Sequence, residues 1–475
     1  MLRNTIIMTD SYKVGNYKHL PPGINKTYLY LEARVGGEYQ DVMFFGLQSI
    51  LKRYFVGRVA TEKKVILARE LFRRHFRSDK VFNYDGWMHI VRDHKGMLPL
   101  EIKAIPEGLV VPEGNVMMTV ENTCPRCYWL PVYYETILDH VWYGSTVGTI
   151  SREMKKIIKK ALVRSGTDTP ENLAYRLLDF GYRGVSSPES SAVGGAAHLV
   201  SFLGTDNIAA IEMLQECYDS YMPGFSIPGA AEHTSITSWG EENEELAYSN
   251  MLDQFPDGTL AVVSDAWNIR NAVANIWGEK LRDRAINRNG VLVIRPDSGD
   301  PKEVLPDILE ITGDKFCYRV NEKGYKVVND KVRLLQGDGI KRSTLSGILD
   351  PIMDKGWSAD CVSFGSGGGL LQDCNRDTQR VAMKCSYEEV NKIGRDVFKR
   401  PATDPSKNSK RGRLMLACDE SLIRKYGSKY ATLPEGTEGY KDALVPVFRN
   451  GRLLRDCNFD DVRVNAGSGD LISIQ

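Results

Sequence analysis

The segment VLVIRPDSGDP, residues 291–301, places Arg295 and Asp297 two positions apart, directly after an apolar run. A guanidinium grips phosphate or pyrophosphate through paired hydrogen bonds, and a carboxylate accepts from sugar hydroxyls or holds Mg2+. LLQGDGI repeats the combination with Gly337, Asp338 and Gly339, and VVSDAW adds Ser264 and Asp265. FGSGGGLL, residues 364–371, contributes Gly367 and Gly368, where backbone N–H groups can come close to an anion. His233 in PGAAEHTSITSW is one of seven histidines, and an imidazole that titrates near neutrality can serve as acid, base or nucleophile. DFGYRG offers Phe180, Tyr182 and Arg183, an aromatic face and a cation suited to a flat, electron-poor ring. Several carboxylates, several glycine loops and few apolar groups suit a phosphorylated sugar better than an apolar metabolite. The glycine cluster matches neither GxxxxGK[ST] nor GxGxxG, which argues against P-loop and dinucleotide folds.

These residues need elements that bring them to one edge. From about residue 151, short apolar runs each end in acids, glycines or serines and are followed by a helix-like stretch. The runs are RLLDFGYRG, LVSFLGTD, GFSIPGAAEH, LAVVSDAW, VLVIRPDSG, VRLLQGDG, CVSFGSGGG and, more weakly, VAMKCSY. Eight such units predict an α/β barrel of the (β/α)8 type, with polar groups gathered at the C-terminal ends of buried strands. An open doubly wound sheet would concentrate those groups at one switch point instead. Before residue 151 the texture differs. TEKKVILARELFRRHF reads as a helix, and LPLEIKAIPEGLVVPEGNVMMTV as three strands separated by Pro-Glu-Gly turns.

With 62 Lys+Arg against 61 Asp+Glu, the chain lacks the basic field of a nucleic-acid binder. No apolar segment approaches a membrane span, and the start of the sequence shows no secretory h-region, so no membrane or nucleic-acid partner is expected. Nine scattered cysteines read as reduced thiols of a cytoplasmic protein. Cys124 and Cys127 have CxxC spacing, but a zinc site wants a second pair, and with none spaced nearby they read as structural thiols. FKRPATDPSKNSKRGRL reads as a solvated basic loop, or as an arm toward an anionic ligand.

Taken together and in order, MTDSYKVGNYKHLPPG, FFGLQSIL, VENTCPRCYWL, DFGYRGVSS, GTDNIAAI, AAEHTSITSWG, VVSDAWNI, IRPDSGDP, LLQGDGI, FGSGGGLLQ and CNRDTQRVAMKCSY resemble the nicotinamide phosphoribosyltransferases, type II phosphoribosyltransferases, over most of the chain. The resemblance implies conversion of nicotinamide and 5-phosphoribosyl-1-pyrophosphate to nicotinamide mononucleotide and pyrophosphate in NAD salvage. The same chemistry on nicotinate, or a non-catalytic nucleotide sensor, are the alternatives. It implies an irregular barrel over 151–384, and a second α/β domain built from 1–150 and completed by 385–475. It implies a homodimer with shared sites, Mg2+ with the pyrophosphate, and ATP as a co-substrate that phosphorylates His233 beside Asp265. By the same resemblance Phe180 stacks on the nicotinamide ring, with Tyr12 of the other protomer on its far face. Asp206 accepts from the carboxamide, Arg183 and Arg295 hold pyrophosphate, and Asp297 and Asp338 meet the ribose. Gly337, Gly367, Gly368 and Arg376 surround the 5-phosphate, with Arg376 and Lys384 reaching the other protomer's site. Leu178 stands where some relatives have histidine.

Overall fold

The structure is a computed structural model that describes residues 4–403 and 408–474. Residues 404–407 of the basic loop lie outside the described residues. The chain forms two compact units, one of 1–149, 215–220 and 374–467, the other of 150–214, 221–373 and 468–475.

In the second unit, seven short strands lie parallel in one sheet. In chain order they are Leu177–Asp179, Gly204–Thr205, Gly229–Ala230, Asp257–Val263, Asn289–Arg295, Val332–Gln336 and Val362–Ser366. The first strand pairs with both the second and the seventh, and a parallel bridge from Gly204 to Phe225 extends the curl beyond the second. The strands are apolar and mostly buried, as parallel strands covered on both faces must be. Inside the curl, Leu178, Ala261, Val293 and Leu335 pack together with Phe180 against them. Leu178 is therefore core here, and its lack of a histidine's polar tip matches its surroundings.

Register is what positions the chemistry. Arg295 aligns with Val263, Gln336 with Phe364, and Ser366 with Asp179, so the polar residues that follow each strand emerge at one rim. Seven of the eight apolar runs form this sheet. The eighth, VAMKCSY, does not: Val381–Val390 runs antiparallel to Ile24–Ala33, from Ile24 opposite Val390 to Ala33 opposite Val381. That ladder draws Arg376 and Lys384 into the first unit, so the units divide at 373/374 where the sequence expectation divided the chain at 384/385.

The first unit is built on an antiparallel sheet ordered Ile393–Asp396, Val381–Val390, Ile24–Ala33, Val116–Asn122, Leu100–Ala104, Val445–Arg449, Arg452–Leu453. The three strands expected between the Pro-Glu-Gly turns are present, and TEKKVILARELFRRHF forms the helix Glu62–Phe76, capped by Thr61 on the Lys64 amide. Trp87, Trp129, Tyr133 and Tyr134 interlock edge to face in its core, with ring centroids of Trp87 and Trp129 5.1 Å apart. No helix among the described residues is long and apolar enough to cross a membrane.

Candidate active site

A cleft of about 680 Å³ opens at the C-terminal rim of the parallel strands. Seven of the residues singled out in the sequence line it: Phe180, Tyr182, Arg183, Asp206, His233, Arg295 and Asp297.

Phe180 follows the first strand, and its amide donates to the Ser366 carbonyl at 2.9 Å, so the ring's root is tied to the seventh strand. The ring lies over Gly365, where a Cβ would come within 2.0 Å of Cε2; only glycine leaves room for it. The Arg295 guanidinium carbon sits 5.7 Å from the ring centroid. Arg295 Nη1 donates to the Ala231 carbonyl at 3.1 Å and Nη2 to Asp297 Oδ2 at 3.4 Å, while its Nε is buried without a hydrogen-bond partner. Asp297 Oδ1 is likewise buried and unpartnered. Buried polar atoms ordinarily find partners, so a donor-short carboxylate beside a donor-rich guanidinium marks a place made for a ligand.

His233 heads the short helix His233–Thr237, and its Nε2 is 3.2 Å from Asp265 Oδ1. The imidazole is half exposed at 51 %, whereas the Asp265 side chain is 3 % exposed. Asp265 sits in a turn stiffened from below: Trp277, within the π-helix Ala272–Lys280, donates from Nε1 to Ser264 Oγ at 3.1 Å and stacks on Tyr248 at 4.7 Å. Asp206 is exposed, and its Oδ1 accepts from the Ser226 hydroxyl.

Gly337, Asp338, Gly367 and Gly368 do not line the cleft itself but stand on the same rim. A Cβ on Gly337 would meet Asp297 Oδ1 at 2.7 Å, and one on Gly184 would meet the Gly368 amide at 3.3 Å. Gly367 has φ −103° and ψ −110°, and Ser366 Oγ donates to the Ile340 carbonyl at 2.6 Å, locking the loop's entry. A Cβ on Gly368 would find nothing nearer than 4.0 Å, so internal packing does not demand glycine there. Tyr12, Arg376 and Lys384 belong to the first unit and are not among the cleft's lining residues. Tyr12 is 68 % exposed. Arg376 Nη1 pairs with Asp139 Oδ2 at 3.2 Å, and burial lowers the pKa of Lys384.

Sequence reasoning passed over two features. Asp179 is buried at the end of the first strand, accepting from the Gly181 amide at 2.7 Å and from Asn207 Nδ2 at 2.8 Å, and burial pushes its pKa up to about 6. It holds the turn that carries Phe180 and Arg183. Ser186, Ser187 and Pro188 also line the cleft, at the N-terminus of the helix Pro188–Leu199, where Ser187 Oγ accepts from the Ser190 amide. Ser-Pro-Glu at a helix start is a legible capping signal, and such a terminus favours anions.

The chain matches the model of the nicotinate phosphoribosyltransferase (NAPRTase) family over residues 175–451 and that of the nicotinamide phosphoribosyltransferase N-terminal domain over residues 4–102. It is 45 % identical over 472 residues to a nicotinamide phosphoribosyltransferase of Xanthomonas campestris pv. campestris, covering 99 % of each chain. A nicotinamide phosphoribosyltransferase of Acinetobacter baylyi is 29 % identical, over 97 % of this chain and 96 % of that one. Among solved structures, the nicotinate-nucleotide pyrophosphorylase of Pyrococcus furiosus aligns with a TM-score of 0.61 at 14 % identity, covering 99 % and 96 % of the two chains. Human nicotinic acid phosphoribosyltransferase aligns with a TM-score of 0.57 at 15 % identity, covering 97 % and 93 %. At those identities the two structures speak for the fold alone.

Proposed function

Because the chain belongs to the nicotinate phosphoribosyltransferase family and carries the nicotinamide phosphoribosyltransferase N-terminal domain, we propose that it joins nicotinamide to 5-phosphoribosyl-1-pyrophosphate, releasing pyrophosphate and forming nicotinamide mononucleotide for NAD salvage. The observation that carries this reading is one cleft holding an aromatic platform, a guanidinium with a free buried Nε, a carboxylate, Asp297, with a buried oxygen short of a donor, and exposed Asp206.

Nicotinamide stacks on Phe180, and Asp206 accepts from its carboxamide. The same carboxylate repels the anionic nicotinate, so the pair is separated by charge as well as by hydrogen bonding. Arg183 and Arg295 take the pyrophosphate, near the N-terminus of Pro188–Leu199. Asp297 and Asp338 accept from ribose hydroxyls, and Gly337, Gly367, Gly368 and Arg376 receive the 5-phosphate. As the bond from ribose C1 to the pyrophosphate oxygen breaks, positive charge grows at C1, and the pyridine nitrogen attacks with its lone pair. That nitrogen carries no proton, so transfer needs no general base. Rate comes from holding the two substrates together and from neutralising the leaving anion.

His233 is thereby free for a second role. With Nε2–H donating to Asp265, Nδ1 keeps its lone pair and can attack the γ-phosphorus of ATP, releasing ADP. Asp297, with a buried oxygen that lacks a donor, fits Mg2+ as well as a hydroxyl; the ion would neutralise the pyrophosphate. Two chains then form a homodimer in which Tyr12, Arg376 and Lys384 of one protomer complete the other's site. The exposure of Tyr12 supports that arrangement. None of the nine cysteines is in a disulfide among the described residues, which supports a cytoplasmic location.

The test is mononucleotide formation from nicotinamide and from nicotinate, with and without ATP, on wild type and Asp206→Asn. Wild type should use nicotinamide and be stimulated by ATP. Losing a charged acceptor should weaken nicotinamide use roughly 10- to 100-fold. Turnover of nicotinate alone would overturn the reading.

A further inference from the structure

We propose that the first unit holds a structural zinc ion on His89, His94, Cys124 and Cys127. The sequence offered the two cysteines without a second pair; the fold supplies that pair as histidines. The helix Tyr84–Asp93 carries His89 about one turn before its end, with His94 just beyond that end as the C-cap. Across the sheet edge, Cys124 opens the turn Pro125–Cys127, where the Cys127 amide donates to the Cys124 carbonyl at 2.9 Å. Asn122 Nδ2 also donates to that carbonyl, at 2.8 Å, which fixes the turn's root to the strand Val116–Asn122. Sequentially the set reads H-x4-H followed by C-x2-C, the spacings of a Cys2His2 site in reversed order.

The donor atoms of the four side chains all lie within 4.8 Å of one another. Tetrahedral zinc, with bonds of about 2.3 Å to sulfur and about 2.0 Å to nitrogen, spaces its ligand atoms about 3.3 to 3.8 Å apart. His89 Nε2 is already 3.4 Å from Cys124 Sγ, and small rotamer shifts close the remainder. His94 Nε2 is buried with no hydrogen-bond partner, which a ligand nitrogen awaiting a metal would be.

The surroundings match a metal site too. Asp93 pairs with His89 Nδ1, fixing the tautomer that leaves Nε2 its lone pair, and so forms the carboxylate–histidine arrangement that orients zinc ligands. Arg126, inside the cysteine turn, reaches Asp93 Oδ2 at 3.8 Å and ties the two halves together outside the ligands. Cys127 is fully buried and His89 nearly so, and two thiolates with two neutral imidazoles make zinc electrically neutral in that setting. The four donors close the coordination sphere with no position left for water, so the site is structural: it pins the end of one helix to the turn before the next, Leu130–Asp139. On binding, each thiol releases its proton to solvent, and no electron is transferred.

The experiment uses the full-length chain, tag removed and thiols kept reduced. Zinc is counted by atomic emission after dialysis, and cobalt is substituted for its visible spectrum. About one zinc per chain is expected, with a tetrahedral cobalt spectrum that includes sulfur charge transfer, and both should vanish in a Cys124→Ser/Cys127→Ser chain. Because that double variant could misfold, Asp93→Asn is the second arm. It keeps all four ligands and should bind zinc 10- to 100-fold more weakly in a chelator competition. A zinc-free wild type, a cobalt spectrum without sulfur charge transfer, unchanged affinity in Asp93→Asn, or a Cys124–Cys127 disulfide in place of metal would each overturn the assignment.

Discussion

Gly365→Ala tests the platform reading at the point where the fold leaves least room. The new Cβ would stand 2.0 Å from Phe180 Cε2 and 2.2 Å from Cδ2. Carbon atoms pack at about 3.5 to 4.0 Å, so the ring has to move by roughly 1.5 Å. Its backbone cannot follow, because the Phe180 amide is bonded to Ser366 and the Gly181 amide to buried Asp179. The ring must therefore tilt into the cleft, where a flat ligand would lie. Overpacking of this kind costs about 1 to 3 kcal/mol, which lowers Tm by several degrees in a unit of this size. Loss of the stacking geometry, about 0.5 to 1.5 kcal/mol, raises the nicotinamide KM roughly 2- to 10-fold. The assay is initial-rate mononucleotide formation with each substrate varied at saturation of the other, beside thermal unfolding. The expected pattern is a higher nicotinamide KM with the phosphoribosyl substrate's KM little changed. A lower Tm with an unchanged nicotinamide KM would refute Phe180 as the ring's platform.

Gly368→Ala should show the opposite pattern: open space around the site leaves Tm unchanged, while a methyl group in the phosphate loop raises the KM of the phosphoribosyl substrate alone, by about tenfold. Asp265→Asn keeps the shape beside His233 but removes the charge that holds its tautomer, so ATP stimulation and the acid-labile phosphate on the chain should fall together, with basal transfer retained. His198 is buried, accepting or donating at Ser151 Oγ 2.9 Å away, and burial lowers its pKa from 6.5 to about 4. Between those values the unfolded chain binds the proton first, so wild type should lose about 3 kcal/mol relative to His198→Gln as pH falls from 6.5 to 4; comparing the two chains cancels buried Asp179, whose raised pKa acts with the opposite sign. Mixing Tyr12→Ala with His233→Ala chains should restore about a quarter of the wild-type ATP-stimulated activity, since half the dimers gain one intact site; no recovery of ATP stimulation would count against shared sites.

What the sequence showed and what it hid follow one physical line. The rim was legible because each parallel strand delivers its polar residues at its own C-terminal end, so Arg295, Asp297 and His233 could be placed from the runs before them. VAMKCSY misled because so short an apolar run fits either kind of sheet; only pairing with Ile24–Ala33, about 350 residues earlier, decides its membership. Asp179 was hidden inside LLDFG, where a carboxylate at a strand end looks like any other until burial and two donors reveal it as the brace beneath Phe180. His89 and His94 have zinc-like spacing too but were passed over; only the pair Cys124 and Cys127 was visible. The union of the two pairs was not, because nothing local says that the end of one helix returns to the turn after a strand three elements on. Long-range pairing made both the misread strand and the overlooked site, so errors of sequence reading in this chain fall where distant segments meet, not within any segment.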